Sequence, residues 1–292
     1  MGTLTGWSFL NRPAETRTDA DFQSWFADMA NHLLNGCRLV AGGQQHRFTE
    51  IEFYYKSADH PDPFPHAEPI QRHQGLWYFH KTHGEYRSGT YKGVDLTFGH
   101  DQATGGVLIR GIEAPDGTLI DGPSLTVDYL LAKTEHTSVA DLDRAIAGRP
   151  GWEMGNPLGL IRLPDAEDRR IFRSARVGLS LRRAWLKEGP RFVMKPYRFL
   201  GEPKRIRKGK TLLILELHLE GRSDGVIREI TGSPLKSIRS AIEECAAGEA
   251  EADLRQFIGK DLTPKTLCRL HGAWQATYGE GRESRRPRDL FG

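Results

Sequence analysis

The chain has 292 residues, 38% of them hydrophobic and 27% charged, the balance of a globular protein with one large domain or one domain plus an appendage. No apolar run approaches the length of about 18 residues that a membrane helix needs, and the N-terminus lacks a basic stretch followed by an apolar core, so neither a membrane span nor a secretory signal is predicted. The three cysteines, Cys37, Cys245 and Cys268, are odd in number and far apart, which argues against a disulfide framework or a zinc cluster and favours the cytoplasm.

The net charge of +3 conceals a basic block. Residues 169–210 hold 15 Lys/Arg and only 2 acidic residues, a local net charge of +13, whereas the rest of the chain carries −10. A basic block beside an acidic body is typical of proteins that bind the phosphate backbone of nucleic acid. The alternative interpretation is a solvated basic face without a partner.

The first predicted element is a helix. Residues 1–17 are predicted to be irregular, and Thr18 with Asp21 then forms a capping-box-like start. Apolar residues follow at helical spacing, and Asn35-Gly36 is a suitable end. The spaced apolar residues are Phe22, Trp25, Phe26, Met29, Ala30, Leu33 and Leu34.

Strands dominate the next part of the chain. A strand at 37–40 leads through a Gly-Gly turn into a strand at 48–55, on which Glu50 and Glu52 share one face and Ile51 and Phe53 the other. Further strands are predicted at 76–80, 91–98 and 107–112, after a loop at 57–75 that is rich in Pro, His and Asp.

The later elements mix helix and strand. A helix is predicted at 125–131, a Gly/Pro-rich connection at 141–164, mixed strand and basic residues at 171–193, and a strand at 211–219. Ser233-Pro234 and Thr263-Pro264 each place a hydroxyl N-cap before a proline at the first helical position, which predicts two more helices. Residues 280–292 are charged and are expected to fray.

Four features carry residues capable of chemistry. Glu52, next to aromatic residues, is a candidate general base, although Glu50 competes for that role and a strand carboxylate commonly faces solvent. The loop at 59–66 contains Asp59, His60, Asp62 and His66, which would suit a metal, a polar substrate or a structural loop.

The other two features lie downstream. Arg110 closes an apolar strand, where it either emerges into solvent or supplies a cation to a site. Arg176-Val177-Gly178 lies inside the basic block, and its glycine permits a sharp bend or a close approach to a ligand.

Taken in order, these segments resemble one family, the alkyladenine (3-methyladenine) DNA glycosylases. LLNGCRLV followed by TEIEFYY is similar to that family's helix, strand and V-E-T-E-A-Y catalytic strand. GGVLIRGIEAPDG resembles its G-A-x-V-L-L-R-A-x-E-P strand, and DGPSLTVDYLL its S-G-P-x-K-L element. SARVGLS and AWLKEGPRFV resemble its A-R-V-G-V and W-R-x-P-L-R-F-Y ending, so the similarity covers about residues 26 to 195.

The resemblance assigns roles to individual residues. Glu52 matches the general base that deprotonates the attacking water, and Arg110 matches the arginine that helps to hold this water. Val177 matches the valine whose main-chain carbonyl also contacts it, and Tyr54 matches the aromatic residue that stacks on the flipped base. Relatives insert a tyrosine into the gap left in the duplex.

Two tyrosines, Tyr86 and Tyr91, are candidates for this insertion, because the segment 81–92 is longer than in the family. The base pocket also departs from the family pattern. Pro63 stands at the position of the pocket histidine, with His60 and His66 on either side, and Thr97 replaces an asparagine.

These departures from the family pattern predict a modified base other than an alkylated purine, read by polar side chains. The candidate base-pocket residues are Tyr54, His60, Asp62, His66, Phe79 and Thr97. The candidate residues for backbone binding, besides the two tyrosines, are Arg176, Arg182, Arg183, Lys204, Arg205, Arg207, Lys208 and Lys210.

The sequence thus predicts a monomeric α+β protein with a curved, mainly antiparallel sheet and flanking helices, in which residues 1–200 form a glycosylase-like domain and 201–292 an extension of one strand and helices. Its predicted activity is hydrolysis of the N-glycosidic bond of a damaged or modified base in double-stranded DNA, without metal or cofactor, in repair or in defence against phage. No lysine matches a Schiff-base nucleophile, so strand cleavage is not expected. The alternatives are a metal-dependent nuclease using Glu50, Glu52, Asp59 and His66, or a non-catalytic protein that binds modified DNA.

Overall fold

The computed structural model describes residues 4–182 and 187–279, which form two compact units. Of these residues, unit 1 contains 4–61, 65–171 and 197–202, and unit 2 contains 62–64, 172–182, 187–196 and 203–279. The predicted assignment of residues 1–200 to a catalytic domain and 201–292 to an extension stays a prediction.

Most strands lie in the first half of the chain, and most helices lie in the second half. In chain order the strands are β1 Cys37–Ala41, β2 Gln44–Lys56, β3 Gln74–Phe79, β4 Lys81–Thr82, β5 Glu85–Tyr86, β6 Val94–Phe98, β7 Thr104–Glu113, β8 Leu119–Asp121, β9 Leu158–Arg162, β10 Phe172–Ser174 and β11 Arg198–Leu200. The α-helices are α1 Asp19–Gly36, α2 Pro123–Lys133, α3 Val139–Ile146, α4 Gly189–Phe192, α5 Lys210–Leu219, α6 Asp224–Thr231, α7 Leu235–Glu251 and α8 Pro264–Tyr278. Short 3₁₀ helices cover Leu4–Leu10, Pro69–Arg72, Gly89–Tyr91 and Leu254–Phe257.

Unit 1 is built on an antiparallel sheet. The long strand β2 pairs with β7 along one edge and with β11 along the other, while its first residues pair with β1. On the far side of β7 the order continues through β6 to β3. With helices beside this sheet, the predicted α+β class with a mainly antiparallel sheet is confirmed.

Helix α1 begins and ends where its sequence signals predict. The Thr18 side chain accepts from the Asp21 backbone N–H, and the Asp21 carboxylate accepts from the Thr18 backbone N–H, which completes the capping box. Its apolar face packs on the sheet, where Phe26 stacks on Phe53 of β2 at 5.0 Å between ring centroids. Ile51, Phe53 and Tyr55 therefore face an aromatic core, and the other face of β2 is left to Glu50, Glu52 and Tyr54.

Unit 2 is mainly helical. Helices α7 and α8 approach each other at two glycines, because a Cβ on Gly272 would lie 1.8 Å from the Cys245 carbonyl oxygen and one on Gly248 would lie 2.0 Å from the Arg269 carbonyl oxygen. Since no side chain fits at either point, only glycine allows this backbone contact. The apolar core of the unit includes Leu212, Leu270 and Trp274.

Several sequence predictions need correction. The strand predicted at 211–219 is wrong, since these residues belong to helix α5, whose residues Leu212–Leu217 are all buried. A helix buried on every side shows no helical alternation of apolar and polar residues, so its apolar run is read equally well as a strand. The predicted connection at 141–164 contains most of α3 and all of β9, and the N-terminal segment contains a 3₁₀ helix.

The two proline-marked helix starts have different outcomes. Thr263 caps α8 through its side chain, with Pro264 at the first helical position, as predicted. In α7 the N-cap is Pro234 itself, and no side-chain cap is formed. The tail predicted to fray at 280–292 lies outside the described residues.

Among the described residues, no helix is both long enough and apolar enough to cross a membrane.

Candidate active site

Glu52 is fully buried on the sheet face opposite the aromatic core. Its Oε2 accepts a hydrogen bond from the Tyr54 hydroxyl at 2.8 Å, and its Oε1 lies 3.4 Å from Nε of Arg110. The sequence left open whether this carboxylate faces solvent, and the structure excludes that reading. A buried carboxylate held by a phenol and a guanidinium has a fixed position, as a general base requires.

Glu50 has a different environment from Glu52. Its Oε1 accepts from Nε of Arg110 at 2.5 Å and from Nε of Arg198 at 2.8 Å. Burial raises the pKa of Glu50, but the charges and hydrogen bonds of Arg198 and Arg110 outweigh it, so the pKa lies below its ordinary value. Glu50 is thus a structural anion that holds two arginines, which separates its role from that of Glu52.

Arg110 is a permanent cation between the two glutamates. Burial lowers the pKa of Arg110, but the charges of Glu52 and Glu50 raise it by more, so the pKa lies above the ordinary arginine value. Since Nε bonds to Glu50 and also approaches Glu52, Arg110 fixes the relative positions of the two carboxylates.

The register of the sheet defines which side chains share this face. Glu52 pairs with Leu108 of β7, Leu108 with Asp95 of β6, and Asp95 with Tyr78 of β3. Directly paired residues of antiparallel strands point to the same side, so this first row runs across four strands. A second, adjacent row runs from Tyr54 through Gly106 to Thr97.

Asp95 is the centre of a second polar cluster on the same face. Its Oδ1 accepts from Nε2 of His80 at 2.7 Å, and its Oδ2 accepts from Nε2 of Gln71 at 3.2 Å. His66 lies 4.3 Å from His80 between ring centroids, and its Nδ1 is 2.7 Å from the Tyr78 hydroxyl. Burial, followed by the nearby charge of Asp95, raises the pKa of Tyr78 above its ordinary value, so Tyr78 stays a phenol.

Four of the predicted pocket residues lie in unit 1 besides Tyr54, and the structure separates them. His66 joins the Asp95 cluster, and Thr97 lies in the second row with its hydroxyl accepting from the Leu76 backbone N–H at 2.9 Å. His60 does not lie on this face, because its ring packs on Phe22 in the aromatic core. Phe79 is paired with Val94 on the core face and is also buried away from Glu52.

The fifth, Asp62, belongs to unit 2. Its Oδ2 accepts from Nη1 of Arg176 at 2.6 Å, and both side chains are fully buried. Arg176 also donates to the Phe192 carbonyl at 3.2 Å. Arg176 therefore holds the interior of unit 2, and its predicted contact with DNA stays a prediction.

Val177 follows Arg176 and is half-buried against the core of unit 2. The next residue, Gly178, has a φ of +85°, which the sequence foresaw as a sharp bend. The contact predicted between the Val177 carbonyl and the attacking water stays a prediction.

The two candidate intercalating tyrosines differ in exposure. Tyr86 of β5 donates from its hydroxyl to Oδ2 of Asp143 at 2.5 Å, and the Lys81 ammonium lies 4.5 Å from its ring centroid. Tyr91 is 75% exposed, at the end of the 3₁₀ helix Gly89–Tyr91. The structure therefore favours Tyr91 as the residue available to a partner.

The basic block divides into buried and exposed parts. Arg198 is buried on Glu50, whereas Arg182 is on the surface and pairs with Asp261 at 2.9 Å. One exposed segment of the block lies just before α5, around the buried Ile206. Its exposed members are Lys204, Arg205, Arg207 and Lys208, and the half-buried Lys210 donates to the Lys204 carbonyl. Arg183 lies outside the described residues.

The residues of the nuclease alternative do not form a metal centre in residues 4–182 and 187–279, where no group of three or more metal-ligating side chains occurs. Glu50 is bound by two arginines, and Asp59 pairs with Arg12 and accepts from Ser57. His66 bonds to a tyrosine hydroxyl.

Sequence reasoning missed Asp95, Tyr78, His80, Gln71 and Arg198. An Asp in the strand pattern VDLTF was the available signal, because an acidic residue inside an apolar strand is buried only with partners. The others have no local signal, since only the register of distant strands places them on the face of Glu52.

Fold and site together define an α+β protein whose antiparallel sheet carries a buried carboxylate–arginine cluster on one face. The chain is 31% identical over 206 residues to the uncharacterized protein L759 of Acanthamoeba polyphaga mimivirus, an alignment that covers 65% of this chain and 92% of the viral protein. The chain therefore belongs to the same family as this viral protein. No protein-family model matches the chain.

Proposed function

We propose that the protein is a monofunctional DNA N-glycosylase that hydrolyses the bond between a modified base and its sugar. The observation that supports this most is the buried Glu52, held by the Tyr54 hydroxyl at 2.8 Å and by Arg110 at 3.4 Å. The order of Glu52, Arg110 and Val177 along the chain agrees with the alkyladenine glycosylases. We propose as well that the sheet and its flanking helices share the fold of that family.

The proposed reaction uses Glu52 as the general base. The target nucleotide rotates out of the duplex, because an enzyme cannot reach the glycosidic bond of a stacked base. The Tyr54 ring supplies an aromatic surface for the base, next to the carboxylate. Glu52 accepts a proton from a water molecule as that water attacks the sugar carbon and the bond to the base breaks, which leaves an abasic site.

Exposed side chains are proposed to hold the DNA. Tyr91 would fill the gap in the duplex, and the basic segment of Lys204, Arg205, Arg207 and Lys208 would contact phosphates without reading sequence. The structural roles of Arg176 and Arg198 reduce the number of cations in the block that serve this binding.

The test is direct analysis of released bases. Purified protein is incubated with alkylated, deaminated and phage-modified DNAs in parallel reactions with a divalent metal and with EDTA, and free bases are identified by mass spectrometry. We expect release of a base, alkali-labile sites in the DNA, and loss of both in Glu52→Gln with DNA binding retained. Nicking that EDTA abolishes would instead support the nuclease, and DNA binding without base release in any sample would support the binding protein.

The identity of the released base also distinguishes the two proposed roles. Release of a damaged base would support repair, whereas release of a base that phages use to replace a normal one would support antiviral defence.

A further inference from the structure

Helices α5, α6 and α7 of unit 2 form a compact arrangement that we call the three-helix group. Each of the three packs on the other two. Each also has a buried apolar face, since Leu215 of α5, Ile227 of α6 and Ile238 of α7 are all 0% exposed. Packed helices of which the last two are joined by a tight turn are the framework of helix-turn-helix DNA-binding motifs.

The connection between α6 and α7 is such a tight turn. Only residues 232–234 lie between the two helices. Gly232 has a φ of +68°, in the left-handed region, and its backbone N–H donates to the Arg228 carbonyl at 2.8 Å, which closes α6. The Ser233 backbone N–H then donates to the Thr231 hydroxyl at 3.2 Å. A turn of three or four residues that contains glycine is typical of the motif.

The first turns of α7 present a polar, basic face to solvent. Lys236, Arg239 and Ser240 are exposed and share one side of the helix, since they are spaced by three and four residues. Arg239 pairs with Asp224 of α6 at 3.0 Å, but its side chain stays 64% exposed. Because an exposed ion pair contributes little to stability, a phosphate oxygen can take the place of this carboxylate.

The two halves of α7 differ in charge and in packing. Residues 235–242 contain two cations and no acidic residue, whereas residues 243–251 contain four glutamates. The second half is also where α7 meets α8, at Cys245 and Gly248. In helix-turn-helix proteins the N-terminal residues of the second helix contact the base edges. The charge of α7 therefore favours its first half for contact with DNA.

The basic segment before α5 adds cations beside this turn. Its exposed members are Lys204, Arg205, Arg207 and Lys208. A Cβ on Gly232 would lie 3.9 Å from Cγ of Lys204, so the start of the segment lies next to the connection between α6 and α7. Cations at this position suit the phosphates that border a groove occupied by α7.

We propose that unit 2 binds double-stranded DNA through a helix-turn-helix motif formed by α6 and α7, with the first turns of α7 in the major groove. An α-helix with its side chains is about 10–12 Å across, which fits the major groove of about 12 Å. Lysine, arginine and serine side chains donate hydrogen bonds to base edges in this groove. This inference concerns binding alone and does not depend on the hydrolysis of a base.

The experiment measures the affinity of the full-length protein for labelled nucleic acids by fluorescence anisotropy. The probes are a mixed-sequence DNA duplex, one of its single strands, and an RNA duplex of the same sequence. We expect the DNA duplex to bind most tightly, because the major groove of duplex RNA is too narrow for a helix. Methyl green, which occupies the major groove, should displace the protein more effectively than netropsin, which occupies the minor groove.

Two matched variants test the placement of α7. Lys236→Ala should weaken binding to the DNA duplex by about 10-fold, the loss expected for one groove contact. Lys260→Ala is the control, because Lys260 is an exposed cation of unit 2 outside the three-helix group, and a change of less than about 2-fold is expected. Both side chains are exposed, so thermal unfolding of both variants should match that of the wild type.

The outcomes separate this inference from the proposed hydrolysis. Equal losses in Lys236→Ala and Lys260→Ala would overturn the placement of α7 in the groove, as would stronger competition by netropsin than by methyl green. Equal or tighter binding of the single strand or the RNA duplex, or no binding of the DNA duplex, would overturn the choice of partner. Duplex binding with these properties but without release of any base would support this inference and contradict the proposed function.

Discussion

Replacing Glu50 by glutamine tests whether unit 1 depends on its buried charge cluster. Glutamine keeps the size of the side chain but removes the charge that two buried arginines share. Arg198 is 0% exposed and Arg110 6%, so neither can turn to water without moving the sheet. Breaking a buried ion pair by removing one partner costs about 3–5 kcal/mol.

This magnitude follows from the individual contacts. Oε1 of Glu50 accepts two charge-assisted hydrogen bonds, at 2.5 Å and 2.8 Å. Each is worth about 1.5–3 kcal/mol, so the pair accounts for the expected loss. At roughly 2–4 °C per kcal/mol for a chain of this size, the melting temperature of unit 1 should fall by about 10 °C.

The assay is differential scanning calorimetry at neutral and acidic pH. Because the pKa of Glu50 is lowered in the folded state, its stabilisation is complete above the ordinary value of 4.5 and is lost as the pH falls through the lower folded-state value. Wild-type stability should therefore drop on acidification below pH 4.5, and the variant should lack part of that drop.

Glu85→Gln serves as the control, since Glu85 is exposed on β5 and no loss is expected. A Glu50→Gln protein within about 1 kcal/mol of wild type, with an unchanged acid dependence, would refute the assignment of Glu50 as a structural anion.

Three further predictions concern other parts of the molecule. Tyr91→Ala should lower base release from duplex DNA by about 10-fold, the value of one stacking contact, and leave the melting temperature unchanged; an unaltered rate would exclude Tyr91 as the inserted residue. Gly272→Ala should destabilise unit 2 by about 2 kcal/mol or more in urea unfolding, because its Cβ would lie 1.8 Å from a carbonyl oxygen of α7, whereas Gly225→Ala at an exposed position of α6 should not. Burial lowers the pKa of His271 from 6.5 to about 4, so between these pH values the unfolded state binds a proton that the folded state does not. The free energy of unfolding should therefore fall as the pH decreases from 6.5 to 4. His271→Gln should flatten this dependence, and an unchanged slope in the variant would contradict the assignment to His271.

The parts of the fold that the sequence predicted well depend on local signals. The capping box at Thr18 and the helical spacing after it lie within one segment, as does the alternation that places Glu52 opposite Phe53. Helix α5 was missed because its residues are buried on all sides, so the apolar run carries no periodicity that distinguishes helix from strand.

The charged residues show why the site could be predicted only in part. Arg176 and Arg198 were read with the basic block, but their carboxylate partners Asp62 and Glu50 lie 114 and 148 residues away in the chain. Asp95 faces the same side as Glu52 through the register of three strands, which no local pattern encodes. Partners at such separations are visible only once the sheet is assembled.

Strand β11 has a consequence for how the chain acquires its structure. It supplies Arg198 to Glu50 and pairs with β2 across 148 residues of intervening sequence. During synthesis, the sheet of unit 1 therefore lacks one edge of β2 until residues 198–200 have emerged from the ribosome. Contacts between such distant residues slow folding, and an incomplete sheet edge exposes unpaired backbone groups. A nascent chain stalled before β11 should accordingly be more prone to aggregation than one stalled after it.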